Sequence, residues 1–287
     1  MADETGKNLS EAIEETVEIA EDVVRHPLTK MLARLGFYTK GILFIIIGIL
    51  AILVAVGSKS GELAAPTGAL TAVAQIPFGK IILIVFIGGA IGHGVWNILR
   101  GVADVDDAGG GWQGIGKRII PVGVGIFYFI LAWSAWSIII TAQISQPDEA
   151  MQKTLTAMLF TLPFGAVLVG IIGFSVICAG VNQCYSGFSG KFQENFKLRG
   201  VENSQQRIIT ILGLVSFTTQ ALIFGLIGYF FIWAAIVYNP KEAIGLDGAL
   251  LKLAQSYSGK TLLFITAAGL ICHGVLSIYE AKYRRIC

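Results

Sequence analysis

The sequence predicts an all-α polytopic membrane protein: six transmembrane helices arranged as three parallel two-helix repeats around a pseudo-threefold axis, with an amphipathic helix ahead of them. Composition, the length of the apolar stretches and an internal repeat carry that reading. Apolar residues make up 54% of the 287 and charged residues 14%, against roughly 25% charged in a soluble domain. Thirty-five glycines suit helices packed in lipid, where small residues let backbones approach. The net charge of +2 comes from basic residues scattered around the apolar spans, so no nucleic-acid partner is expected.

Residues 1–30 read as an acidic amphipathic helix at the membrane's inner side. Leu9, Ile13, Val17, Ala20, Val24 and Leu28 recur at helical spacing, Asn8 with Glu11 suits a capping-box-like start, and Pro27 suits a stop. The other face holds Glu11, Glu14, Glu15, Glu18, Glu21 and Asp22, which anionic lipid repels. Docking on the chain's own basic loops or on a protein partner is expected instead. This start lacks the basic residues and apolar core of a secretory signal.

A bilayer core about 30 Å thick needs roughly 20 apolar residues at 1.5 Å each. Residues 36–57, 81–99, 119–142, 164–184, 208–238 and 261–279 meet that need. The fifth is long and should tilt or protrude. Fifteen of the 21 Lys and Arg, from Arg25 and Arg34 to Arg284, flank the spans on the side of the amino terminus. This bias puts both termini in the cytoplasm. Cys178, Cys184, Cys272 and Cys287 show no metal-ligand or pairing pattern.

Repetition organises the chain. Gly41-Ile-Leu-Phe44 leads to Gly48, Gly125-Ile-Phe-Tyr128 to Ala132, and Ala221-Leu-Ile-Phe224 to Gly228. Outside, Gly68 to Gln75 is echoed by Gly248 to Gln255, both read as short surface helices. The turns Pro77-Phe-Gly79, Pro163-Phe-Gly165 and Ser258-Gly259 follow, and fifteen residues past each turn glycine stand Gly94, Gly180 and Gly274. A two-span unit returns the chain to its starting side, so the copies run parallel. They occupy 31–104, 116–190 and 205–287. Gly41, Gly48, Gly94, Gly125, Gly180, Gly228 and Gly274 are the expected packing positions, with Gly88, Gly92 and Ala90, Gly94 as small-residue pairs. After the fourth span, Phe188, Phe192 and Phe196 predict a helix lying at the inner interface.

The run Arg34-Leu-Gly-Phe-Tyr-Thr-Lys-Gly41, continued by Ile76-Pro-Phe-Gly-Lys80 and Gly94-Val-Trp96, resembles a bacterial membrane family, domain of unknown function 1206, whose members carry three such units. The resemblance covers about 32–285 and is looser in the second unit. It implies the topology and supplies no activity or catalytic residue.

Polar groups in lipid are costly and therefore informative. His93 and His273 share one repeat position, where the second unit has Ala179. Thirteen residues from Lys80 put His93 about 20 Å below the outer boundary. One turn further lie Asn97, Gln183 and Ser277, and Thr39, Lys40, Thr218, Thr219 and Gln220 fall in a similar layer. His93, Asn97, Lys40, Gln220, Thr219, His273 and Ser277 are thus the candidate ligand-binding residues. The specific reading is haem b held by two histidines, or a quinone site; the plain one is interhelical hydrogen bonding. Lys40 is either a buried charge on a path or a side chain snorkelling to the interface. Asp104, Asp106 and Asp107 before Gly109 to Gly111 form an acidic turn, read as solvated loop, and no metal is expected. Trp96, Trp133, Trp136 and Trp233 fit interface belts or packing anchors.

No nucleophile elbow, P-loop, paired-cysteine site or HExxH helix is present, and no Asp or Glu is placed inside a span, so no enzyme is expected. Three functions remain. The favoured one is an accessory or structural protein that joins a membrane complex, or self-associates, through its amino-terminal helix or a membrane face. The others are a carrier or channel for a small or lipid-like solute, and a redox subunit using His93 and His273. No cofactor is expected outside that last reading, and membrane lipid is a partner in all three.

Overall fold

The computed structural model describes residues 26–57, 66–105, 109, 111–141, 156–198, 200–246, 248–250 and 257–284. The amphipathic helix expected before His26 lies outside them, as do the outer segment 251–256 and most of the acidic turn after Asp104. Seven helices are named here: α1 Pro27–Ala55, α2 Pro66–Ala74, α3 Gly79–Val102, α4 Trp112–Thr141, α5 Gly165–Ser189, α6 Asn203–Ile236 and α7 Tyr257–Tyr283. All but α2 are long and apolar enough to cross a membrane.

Local chemistry sets the ends of these helices. Pro27 sits at the first turn of α1, where its missing N–H is no loss, and the extended His26 caps it by accepting from Leu28 N–H at 3.2 Å. The two Pro-Phe-Gly turns are alike in structure. Phe78 and Phe164 adopt left-handed φ of 64° and 63° ahead of α3 and α5. The next residue must be glycine, because a Cβ would fall 2.0 Å from Val73 O at Gly79 and 1.9 Å from Leu159 O at Gly165. The second unit thus has its own short outer helix, residues 156–160, which its sequence does not echo from the other two. In the first unit α2 buries Thr67, Ala69, Leu70 and Val73 against α1, α3 and α4.

The closest helix pairs join different units. The second helix of one unit packs on the first helix of the next: α3 on α4, α5 on α6, and α7 back on α1. Glycines set these crossings. A Cβ on Gly41 would lie 2.7 Å from Gly274 O, and one on Gly274 2.5 Å from Gly41 O. Gly94 and Gly125 face each other in the same way, at 3.1 and 2.7 Å. In the third pair Gly180 lies against Ala221, and the reciprocal glycine contact has moved to Gly173 and Gly228, at 2.8 and 2.6 Å. Gly48 lies against Ala267 and Ile271. Of the small-residue pairs, Gly92 meets Leu32 O on α1, while Gly88 has nothing within 4 Å.

Within a unit, closure depends on a threonine entering a glycine notch. Thr39 Oγ1 on α1 occupies the notch at Gly89 on α3, and Thr219 Oγ1 on α6 the notch at Gly269 on α7; a Cβ at either glycine would sit 1.8 Å from that oxygen. The second unit has Gly123 in place of the threonine and Ser175 in place of the notch. Nothing lies within 4 Å of a Cβ on Gly123, and the Ser175 hydroxyl donates to Ile171 O of its own helix at 2.8 Å. Among the described residues α4 and α5 share no packed face. The ring of six helices is therefore open at one seam.

At the end of the bundle bearing Arg100, Lys191 and Arg284, the segment after α5 folds under the helices. The helix expected from the phenylalanine spacing is instead the end of α5 and a 3-10 turn, Lys191–Asn195. Its phenylalanines divide: Phe188 is exposed, whereas Phe192 and Phe196 are buried with Ile209 and Leu276. Phe192 stacks on Phe217 and fits against Gly213, where a Cβ would meet its ring at 2.0 Å. Lys197 N–H donates to Tyr283 O at 2.7 Å, tying this segment to the end of α7. Trp96 is buried, while Trp133, Trp136 and Trp233 face outward.

The crossings give a direct test. Gly41→Leu or Gly274→Leu should cost about 1–3 kcal/mol or more, because the obstacle is backbone. Gly123→Ala should be neutral or stabilising by up to about 1 kcal/mol. Thermal unfolding of the full chain in detergent separates the two; equal losses at all three positions would remove the crossing glycines from this role.

Candidate functional site

Residues at equivalent repeat positions converge at the basic end of the axis. Six residues past Gly94, Gly180 and Gly274 stand Arg100, Ser186 and Glu280; one residue before Gly41 and Ala221 stand Lys40 and Gln220. All five line one cavity of about 400 Å³. Its wall also holds Gln183, His273 and Arg284, with Lys191, Glu194 and Asn195 supplied by the segment beneath the bundle. The fourth helix is missing from this wall: Val124, which corresponds to Lys40 and Gln220, does not line it. Four cationic side chains, Lys40, Arg100, Lys191 and Arg284, face two carboxylates, Glu194 and Glu280.

Glu280 revises the expectation that no carboxylate lies within a span. The sixth apolar stretch was expected to end at 279, but α7 continues to Tyr283 and carries Glu280 inward at 8% exposure. Lys40 Nζ lies 3.5 Å from Glu280 Oε2, and Arg284 donates to Oε1. Lys40 therefore turns toward the axis, where Glu280 pairs with its ammonium, instead of snorkelling outward. The Arg284 guanidinium also sits over the Phe37 ring, 5.0 Å from its centre.

A second polar chain joins α5, α6 and α7. Gln183 Nε2 donates to Gln220 Oε1 at 2.7 Å, and Gln220 Nε2 lies 2.7 Å from His273 Nδ1. The Ser216 hydroxyl is 2.6 Å from the same nitrogen. With the amides in this orientation Nδ1 accepts, so the His273 proton is on Nε2, which remains a donor. The Phe44 ring meets His273 edge-on at 4.6 Å.

The other histidine is placed differently. His93, 3% exposed, is held between Phe37 and Tyr128 at 5.1 and 4.4 Å, and its Nδ1 has no partner among the described residues. It is absent from the wall that His273 lines. Asn97 donates to His93 O at 2.8 Å and Ser277 to His273 O at 3.0 Å, each within its own helix. Thr219 fills the Gly269 notch. Of the seven candidate residues, Lys40, Gln220 and His273 reach the cavity; His93, Asn97, Thr219 and Ser277 do not. Sequence reading passed over Arg100, Lys191, Glu280 and Arg284. The offset from the three repeat glycines, followed one helical turn beyond Asn97, Gln183 and Ser277, would have led to Arg100 and Glu280.

Towards the opposite end the described core is apolar, with Leu43, Ile47, Leu50, Leu83, Leu131 and Leu263 buried in one cluster. The cavity can hold a ligand with acceptor oxygens and negative charge, and none of its lining residues belongs to that cluster.

The ion cluster predicts unequal losses. Glu280→Gln leaves Lys40 and Arg284 without their shared carboxylate and should cost about 3 kcal/mol. Lys40→Met leaves Glu280 paired with Arg284 and should cost markedly less. Unfolding of both variants decides it, and equal costs would mean Arg284 does not sustain Glu280.

The family model described as Domain of Unknown Function (DUF1206) matches residues 35–104, 121–190 and 215–284. The chain is 32% identical over 262 residues to "Uncharacterized protein YxxB" of Bacillus subtilis (strain 168), covering 91% of this chain and 93% of that protein. No solved structure matches.

Proposed function

The chain belongs to the DUF1206 family, whose description assigns no activity, and from the geometry we propose that it is a binding protein of the bacterial cytoplasmic membrane for a small anionic ligand. The observation that carries this reading is the 400 Å³ cavity with its excess of cationic side chains. Gln183, Gln220, Asn195 and Ser186 add neutral donors to its wall, and charge-assisted hydrogen bonds to an oxyanion are the strong ones. The basic residues gathered at this end support reading it as the cytoplasmic one, with both termini inside, so the cavity lies at the cytoplasmic face. The apolar cluster beyond supports reading the cavity as a vestibule at one end of the bundle, as a receptor or the inward-facing form of a carrier has. The accessory-subunit reading leans on the acidic helix in residues 1–30, nearly all outside the described residues, whereas the cavity bears on ligand binding.

Inorganic pyrophosphate is a suitable first probe, being small, multiply charged and tailless. At a hundredfold excess over its Kd it should stabilise the detergent-solubilised protein by about 2.7 kcal/mol. The effect should weaken as ionic strength rises, and Lys191→Gln, outside the ion cluster, should weaken binding roughly tenfold, or about 1.4 kcal/mol. Isothermal titration reads both quantities. Stabilisation no greater than that given by chloride at matched ionic strength would overturn the proposal.

A further inference from the structure

The broken symmetry of the ring gives this cavity a side entrance. Among the described residues the cavity wall takes side chains from α1, α3, α5, α6 and α7 and none from α4. In the order of packing around the axis α4 stands between α3 and α5, and among the described residues it shares no packed face with α5. The polar cavity and the open seam therefore lie on the same side of the molecule. The seam is bordered by apolar helices: Ile126, Phe127 and Trp133 are exposed on α4, and Ile171, Phe174 and Val181 on α5. Their hydroxyl-bearing neighbour Ser175 is satisfied within its own helix.

A cationic pocket beside an apolar slot matches one class of molecule: an anion that carries hydrocarbon. Resting on the anion-binding reading above, we propose that the ligand is an anionic phospholipid. Its headgroup phosphate lies among Lys40, Arg100, Lys191 and Arg284, and its acyl chains leave through the seam between α4 and α5. Tails confined to the seam avoid the penalty of placing hydrocarbon in the polar vestibule. A tailless anion uses the headgroup contacts alone. The unit that lost its threonine and its glycine notch is thus the one specialised for access.

The same two positions provide the test. Gly123→Thr with Ser175→Gly restores the interlock of the other two units and should close the seam while leaving every cationic side chain in place. Gly123→Leu, at a position with open space around it, obstructs the seam from one side and serves as the second variant should the double one misfold. Binding to the full chain in neutral detergent is measured by native mass spectrometry and titration with phosphatidylglycerol, phosphatidylcholine and glycerol 1-phosphate. Phosphatidylglycerol should bind at least tenfold tighter than phosphatidylcholine. The seam variants should lose tenfold or more for phosphatidylglycerol and keep their affinity for glycerol 1-phosphate, and Lys191→Gln should weaken both. Seam variants that bind phosphatidylglycerol like the parent overturn the lipid route yet leave the anion site standing if Lys191→Gln still weakens binding. Equal affinity for the two lipids, or no binding of glycerol 1-phosphate by the parent, counts against the anion site itself.

Discussion

Lipid offers helices little incentive to associate, since a neighbouring helix is no more apolar than an acyl chain. What remains is close packing, and in this protein packing is concentrated where a glycine on one helix meets a backbone carbonyl on another. Gly41 with Gly274, Gly94 with Gly125 and Gly173 with Gly228 bring three helix pairs so near that a single Cβ would collide with main chain. At that separation dispersion and weak Cα–H···O contacts act along the whole crossing. Each such pair joins consecutive units, so the two-helix repeat is a unit of sequence whose tightest packing is with its neighbours. All three repeats are interlocked around the axis, and the polar ends of their helices are brought together at one end of it.

Secondary closure within a unit is weaker and more easily lost. It needs a threonine on one helix and a glycine on the other, a pair kept by the first and third units and absent from the second. The cost of losing it is small because the stronger crossings α3–α4 and α5–α6 hold both helices from the other side. A ring can therefore open at a single seam without falling apart. This gives a threefold scaffold an asymmetric site: among the described residues α4, Val124 included, contributes nothing to the wall, and the space is lined by the remaining five spans and the segment that crosses beneath them.

Charge in this setting needs partners. Lys40, Glu280 and Arg284 form a cluster in which one carboxylate serves two cations, with Arg100 and Lys191 in the same wall. Burying Lys40 and Arg284 is tolerable because Glu280 pairs with both, and the cations of the wall outnumber its carboxylates. The neutral chain from Gln183 through Gln220 to His273 orients donors toward the same space. His93, its counterpart in the first unit, has become a packing residue between two rings. The divergence of two residues at one repeat position follows from what faces them: Phe37 and Tyr128 on one side of the molecule, Ser216 and Gln220 on the other.

The sequence by itself determined the number of spans, their grouping into three parallel units and the family, because each depends on chain length, hydropathy and offsets along one chain. It also pointed to Lys40, Gln220 and His273, since polar residues are rare enough in apolar spans to be conspicuous. Which helix meets which was decided only in three dimensions: nothing along the chain says that a unit's second helix prefers the next unit over its own partner. The same holds for the cavity. Arg100, Glu280 and Arg284 stand at helix ends, where charge is ordinary in sequence and becomes informative only once α7 is seen to run past its apolar stretch and turn Glu280 inward. The open seam was written as two substitutions, glycine at 123 and serine at 175, but their meaning required the threonine notches of the other units, a contact between side chain and facing backbone that no periodicity encodes.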